Sequence, residues 1–101
     1  MKLIHANDAR KQTLQNIDKI VLNFLKIEDL ENTLITRLNR HIEKGELKIE
    51  HYTTSFIYQA KENILEVVNK ILIQFKNNGY SVNLEDIGNG YWIRLKITIE
   101  W

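Results

Sequence analysis

The segment "GNGYWIRLKITIEW", residues 88–101, carries the clearest periodic pattern in the chain and decides its fold class. From residue 92 onward, apolar and polar side chains alternate with the period of two that is typical of a strand with one buried face. One row contains Ile93, Leu95, Ile97, Ile99 and Trp101, and the other contains Trp92, Arg94 and Lys96. A turn at residues 88–90 joins this strand to "YSVNLED", residues 80–86, which predicts a closing β-hairpin.

Upstream of the hairpin, strand and helix patterns follow one another. Residues 46–52, "ELKIEHY", alternate as a further strand. A helical pattern then runs from residue 57 to residue 75, with the hydroxyl side chains of residues 53–55 as its expected N-terminal cap. With a long helix in front, the order is αβαββ. We predict a single α+β domain over residues 1–101, in which the second helix packs on a small, mainly antiparallel three-stranded sheet.

The first helical segment is too long to be covered by its own domain. Residues 7–44 contain neither glycine nor proline, Asn7 or Asp8 can cap the start, and Gly45 suits the end. Apolar residues form one stripe, at Leu14, Ile17, Val21, Phe24, Ile27, Leu30, Leu34, Leu38 and Ile42. A helix of that length spans roughly 57 Å, whereas a compact domain of this size has a radius of gyration of about 13 Å.

Two arrangements of this segment are open. It can stay continuous and bury its stripe against another subunit, or it can break near residues 27–29 into a helical hairpin. We favour the continuous helix, because residues 27–29 include no strong turn former. This interpretation predicts a homo-oligomer.

Composition excludes several classes of function. The chain has no cysteine and a formal net charge of +1, so disulfides and thiolate chemistry are ruled out and a general attraction to nucleic acid is not expected. No apolar run is long enough to cross a bilayer. The three histidines, His5, His41 and His51, lie far apart in the sequence, which argues against a metal site, and no cofactor motif is present. We expect no enzyme and no cofactor, and we expect His51 to be a hydrogen-bonded residue at the core or its rim.

Three groups of residues are candidate ligand-binding sites, and each has a simpler interpretation. Trp92, Arg94 and Lys96 could stack on a base and pair with phosphates, or they could form the solvated face of a sheet. The second group is Tyr52, Thr53, Thr54 and Ser55, which could cradle an anion at a helix N-terminus or only cap that helix. The third is Arg10 and Lys11, whose charges oppose the dipole of the first helix and are otherwise explained by solvation.

The opening "IHANDARKQT" resembles that of a widespread set of small bacteriophage proteins of accessory function. Their pattern Ala-x-x-Ala-Arg-x-x-Thr is matched by Ala6, Ala9, Arg10 and Thr13. The later organisation is also similar, with a helix ending in glycine, a Gly-Tyr pair before a strand and a final hairpin that closes on an aromatic residue. These positions are Gly45, Gly79, Tyr80 and Trp101. The resemblance implies an anti-defence role in the cytoplasm of a bacterial host.

Together these observations give two hypotheses for function. In the first, a homo-oligomer sequesters a nucleotide-like anionic signalling molecule at sites between subunits, through the three candidate groups. In the alternative, the chain is a protein-interaction module whose long helix engages a host protein and whose sheet face is only solvated. Nucleic-acid binding is disfavoured by the near-neutral charge.

Overall fold

The computed structural model describes residues 3–101 and has the predicted α+β architecture. Three helices pack against a three-stranded sheet, and a short second ribbon extends that sheet. The helices are α1 (Ala6–Glu28), α2 (Leu30–Glu43) and α3 (Lys61–Asn77), and a 3-10 turn covers Tyr58–Ala60. The strands are β1 (Lys48–Tyr52), β2 (Phe56–Ile57), β3 (Ser81–Asp86), β4 (Trp92–Ile93) and β5 (Leu95–Glu100).

The segment that predicts the fold class supplies the central strand of the sheet. The strand order is β1-β5-β3, and both pairings are antiparallel. The apolar row of the sequence faces the core, since Ile93, Leu95, Ile97 and Ile99 are all buried. The predicted closing hairpin, between β3 and β5, is therefore confirmed.

The prediction of one continuous first helix is wrong. Asp29 adopts the left-handed conformation, with φ 38° and ψ 52°, and separates α1 from α2. Its amide donates to the Leu25 carbonyl, which ends α1, and its carbonyl accepts from the Thr33 amide, which begins the α2 ladder. The start is also earlier than predicted, because His5 caps α1 by accepting from the Asn7 amide.

The break does not produce the alternative hairpin either. α1 packs over β2, where Phe24 meets Phe56 edge to face, and α2 packs over β1, where Arg37 reaches His51. The two helices therefore lie one after the other, α1 over β2 and α2 over β1, and do not fold back on each other as a hairpin would. The longest dimension of the molecule is accordingly 61 Å, against 23 and 19 Å in the other directions.

The second helix begins later than the sequence predicts. Residues 53–55 form a loop instead of a helix cap, and β2 and the 3-10 turn precede Lys61, the first residue of α3. Thr53 is buried, and its hydroxyl accepts a hydrogen bond from the Leu95 amide. The helix N-terminus expected at these residues as an anion site is therefore not there.

A β-bulge separates the three-stranded sheet from the β2–β4 ribbon beside the break between α1 and α2. Thr53 bonds to Leu95 and Phe56 pairs with Ile93, so residues 54–55 lie opposite Arg94 alone. Two residues facing one is the defining feature of a bulge, and it increases the local bend. The predicted last strand is consequently divided into β4 and β5.

Candidate functional site

A buried polar cluster joins the helix break to the bulge. The Glu28 carboxylate accepts from the Thr54 amide, and its other oxygen lies 3.5 Å from His51 Nε2. Arg37 donates to His51 Nδ1 at 3.0 Å, which fixes Nδ1 as the acceptor and leaves the ring proton of neutral His51 on Nε2. His51 is only 8% exposed, which confirms its predicted place in the core or at its rim.

The cluster controls the charge of His51. Burial lowers the pKa of His51 below its ordinary value of 6.5, because the imidazolium loses its hydration. The Glu28 carboxylate partly opposes this change, and the Arg37 guanidinium adds to it. A neutral His51 of β1 is therefore bonded to Arg37 of α2, and its Nε2 atom faces Glu28 of α1 without a hydrogen bond.

A second cluster lies on the solvent face of the sheet and contains three of the predicted ligand residues. The Arg94 guanidinium is 5.3 Å and the Lys96 ammonium 5.9 Å from the centre of the Tyr52 ring. These cations already have partners, since Arg94 Nε donates to the Thr53 carbonyl and Lys96 lies 3.9 Å from Glu50. Much of the polar row is thus engaged within the sheet.

Trp92 belongs to a different surface. Its half-exposed ring, with Ile27 and the β2 residue Ile57, lines an open groove between α1 and the β2–β4 ribbon. Ile27 is 72% exposed there, although the sequence pattern places it in the buried stripe. The complete lining, called the Trp92 groove below, is Ile20, Asn23, Phe24, Ile27, Thr54, Ser55, Phe56, Ile57 and Trp92. It contains no charged side chain.

The third predicted group lies far from the other two. Arg10 and Lys11 are exposed in the first turns of α1, where Lys11 lines a shallow depression with Asp8. Arg10 precedes Glu28 by 18 residues on one helix, which corresponds to about 27 Å. Within one chain, neither cation approaches Trp92 or Thr54.

The structure thus distributes the predicted residues over three places and reveals others that the sequence pattern does not identify. Glu28 and Arg37 were not expected to meet His51, although Glu28 does occupy a position four residues after Phe24 on the buried face of α1. The sequence did contain one signal for this contact, because Glu28 is a polar residue on an otherwise apolar face of α1. Nothing in the sequence marks Ile27 as exposed, because its apolar side chain fits the periodic stripe of the first helix.

Comparison of the chain with protein-family models, curated proteins and solved structures found no match in any of the three. Within residues 3–101, no three His, Cys, Asp or Glu side chains are grouped so that they could hold a metal ion. The helices of this same part of the chain are all too short or too polar to cross a membrane.

Proposed function

We propose that this protein is a protein-interaction module that holds an apolar segment of a partner protein in the Trp92 groove. The observation that supports this proposal is the half-exposed Trp92 beside the 72% exposed Ile27, in a groove without charged residues. Tryptophan is enriched among residues that dominate binding energy at protein interfaces. An uncharged lining favours apolar side chains over an anion, since burying an unpaired phosphate there would be costly.

The second candidate function is sequestration of a nucleotide-like anion, and it is favoured by one specific observation. Two cations, Arg94 and Lys96, flank the exposed ring of Tyr52 on the sheet face. A base could stack on that ring while the cations contact phosphates. We rank it second because Trp92 lies on another surface and because both cations have partners within the chain.

Under either function the protein acts by binding and not by catalysis. An origin in a bacteriophage, an anti-defence role and a location in the host cytoplasm belong to the same proposal. They are supported by the resemblance of residues 4–13 to phage accessory proteins. Self-association through the first helix is also proposed, and it is tested separately below.

The two functions are distinguished by Trp92→Ala, Lys96→Ala and the control Tyr91→Ala, whose ring is 83% exposed but does not line the groove. Each tagged variant is purified from bacterial cells and its retained proteins and small molecules are quantified by mass spectrometry. We expect one protein partner to be retained by the wild type and by the control. Trp92→Ala should weaken its binding by about 30-fold, the effect of losing a dominant interface residue.

The control experiment uses the same samples. Circular dichroism must show that all three variants are folded, which is expected because none of the three side chains is buried. Partner retention that Trp92→Ala does not change would contradict the first proposal. A nucleotide-sized mass that is lost only in Lys96→Ala would establish the second candidate instead.

A further inference from the structure

The outer edge of β1 is an unpaired row of backbone hydrogen-bonding groups. Trp101 donates to the Leu47 carbonyl at 3.1 Å and Thr53 donates to the Leu95 carbonyl at 2.9 Å, so odd-numbered residues of this strand bond towards β5. Lys48, Glu50 and Tyr52 therefore direct their amides and carbonyls away from the sheet. No backbone partner for these groups occurs within residues 3–101.

The flank of α2 above this edge is strongly basic. Arg37 and Arg40 of α2 and its C-cap residue Lys44 are spaced as i, i+3 and i+7, and because Lys44 keeps right-handed helical dihedral angles the three lie on one side of the helix. The bond from Arg37 to His51 shows that this side lies over β1. Arg40 and Lys44 are exposed, and neither forms a salt bridge with any residue in the described part of the chain.

The edge and the helix flank enclose an open slot. Arg37 and His41 line it from α2, and the lining on the strand side is Glu46, Leu47, Lys48, Ile49, Glu50 and Tyr52. Both carboxylates of this lining already have partners, since Glu46 bonds to His41 and Glu50 lies beside Lys48 and Lys96, so the unpaired charges next to the slot are the cations of the α2 flank. Leu47 is 68% exposed there and offers an apolar contact. A slot between a strand edge and a helix is the geometry in which extended peptides add to a sheet.

We propose that this slot is a second binding site, which accepts an extended, acidic segment of a partner protein as an added strand beside β1. The main chain of that segment would pair with Lys48, Glu50 and Tyr52, and its carboxylates would lie under Arg37, Arg40 and Lys44. The site is separate from the Trp92 groove, so it stands or falls independently of the proposed function.

Charge selects this occupant over others. A second copy paired edge to edge would bring its own basic α2 flank towards the first, and like charges at close range oppose that assembly. A basic peptide is disfavoured for the same reason. The opposite edge of the sheet, formed by β3, does not suit an acidic segment, because β3 itself ends in the acidic residues Glu85 and Asp86.

The test uses pools of blocked synthetic peptides about eight residues long, the length of a typical strand. One pool alternates glutamate with varied apolar residues, and the matched pool alternates lysine with the same residues. Binding is measured by NMR on the isotope-labelled full chain, through shifts and hydrogen exchange of the β1 amides. We expect the acidic pool to bind and to slow exchange at Lys48, Glu50 and Tyr52, whose amides exchange rapidly in the free protein.

Two perturbations separate strand addition from general charge attraction. N-methylation of the acidic peptides at alternate residues removes the pairing donors and should weaken binding about fivefold or more. The double variant Arg40→Glu with Lys44→Glu should weaken it about tenfold. Lys70→Glu with Lys76→Glu, an equal charge change on α3, should leave it unaltered.

Several results would overturn the proposal. The proposal is wrong if the acidic and basic pools bind equally well, or if the acidic pool does not bind. It is also wrong if N-methylation does not weaken binding of the acidic peptides, or if the α2 and α3 double variants lose the same amount of binding. Slow exchange of the β1 amides without peptide, accompanied by a dimeric mass in sedimentation, would show that a second copy occupies the edge instead.

Discussion

At the scale of single residues, His51 is the group whose chemistry the fold changes most. Its neutral ring accepts from Arg37 on one side and faces Glu28 on the other, so it bridges the two helices that meet at Asp29. A protonated ring could no longer accept from Arg37, and two cations would then be adjacent. Burial and Arg37 thus favour the neutral ring and Glu28 favours the protonated one, and the net result is a pKa of His51 below its ordinary value.

This arrangement makes stability dependent on pH. The pKa of His51 is lowered on folding, so the unfolded chain binds the proton more tightly. The stabilisation is complete above the unfolded value of 6.5 and is lost as the pH falls from there towards the folded pKa. One such group contributes at most about 1.4 kcal/mol per pH unit to the free energy of unfolding.

Urea denaturation between pH 7.5 and about pH 5 measures this dependence. His51→Gln should be less stable than the wild type at the upper pH and should lose less stability as the pH falls. Ile73→Gln, which removes no titratable group at a 53% exposed position on α3, should keep the wild-type slope. Equal slopes for the wild type and His51→Gln would show that His51 does not titrate differently in the folded state.

Gly88 is a second residue whose role follows from contact distances. A Cβ atom at Gly88 would lie 2.1 Å from the Trp92 carbonyl oxygen, whereas one at Gly90 would meet nothing within 4 Å. Both glycines are in the turn before β4 and neither has a positive φ. Gly88→Ala should therefore lower the free energy of unfolding by about 1–3 kcal/mol, the usual cost of overpacking.

Gly90→Ala is the matched control, and it should be neutral or slightly stabilising because alanine restricts the unfolded chain. Equilibrium denaturation of both variants checks the comparison. If the two substitutions have the same effect, the close approach of Trp92 to Gly88 does not exist in solution.

At the scale of elements, the break at Asp29 and the bulge at residues 54–55 form one feature. The helix layer and the strand layer are both interrupted here, at Asp29 and at residues 54–55, and the bond between Glu28 and the Thr54 amide joins the two interruptions. The sequence of this region contains no strong turn former, so local preference does not impose the break. The buried Glu28 carboxylate accepts from the Thr54 amide only when α1 ends at this level, and this is the physical reason we assign to the break. His51 Nε2 faces the same carboxylate but forms no hydrogen bond with any residue that the structure describes.

The sign of two substitutions at Asp29 tests whether the helix is broken. In the left-handed conformation glycine avoids a cost of about 1 kcal/mol that a Cβ atom imposes, so Asp29→Gly should be more stable than Asp29→Ala. In a continuous helix the order is reversed by about the same amount, since alanine is the better helix former. Denaturant midpoints of the two variants, compared with the wild type, distinguish the two structures.

At the scale of the whole molecule, the chain is more extended than its length requires. Its radius of gyration is 16.7 Å, against about 13 Å for a compact domain of this size. The first half of α1 contributes to this extension, because the described residues before Ile17 are all exposed. Leu14 is 60% and Leu22 is 52% exposed on this helix.

The sequence pattern predicts self-association through the first helix, and those two leucines are the residues with which to test it. Native mass spectrometry should detect a homo-oligomer, and Leu14→Glu with Leu22→Glu should dissociate it because charges would enter the apolar contact. The control is Ile73→Glu, at a 53% exposed position on α3. A wild-type monomer at high concentration, with a solution radius of gyration near 16.7 Å, would contradict self-association.

The sequence by itself determined the α+β class, the closing hairpin and the buried face of the last strand. These properties follow from alternation along a single segment, since burial of one sheet face imposes a period of two wherever the strand lies. Likewise, the exclusion of disulfide and thiolate chemistry needed only the absence of cysteine. Most of the apolar stripe of α2 was also correctly predicted, because Leu30, Leu34 and Leu38 share one buried helical face, whereas Ile42 at its end is 46% exposed.

Only the tertiary structure decided where the helices break and which polar residues meet. Trp92 and Lys96 share a row in the sequence, yet the bulge divides their strand, so one lines an apolar groove and the other lies on the sheet face. Glu28 and His51 are 23 residues apart and meet only when α1 packs on the sheet. Such contacts depend on pairing between distant segments, which periodicity within one segment does not encode.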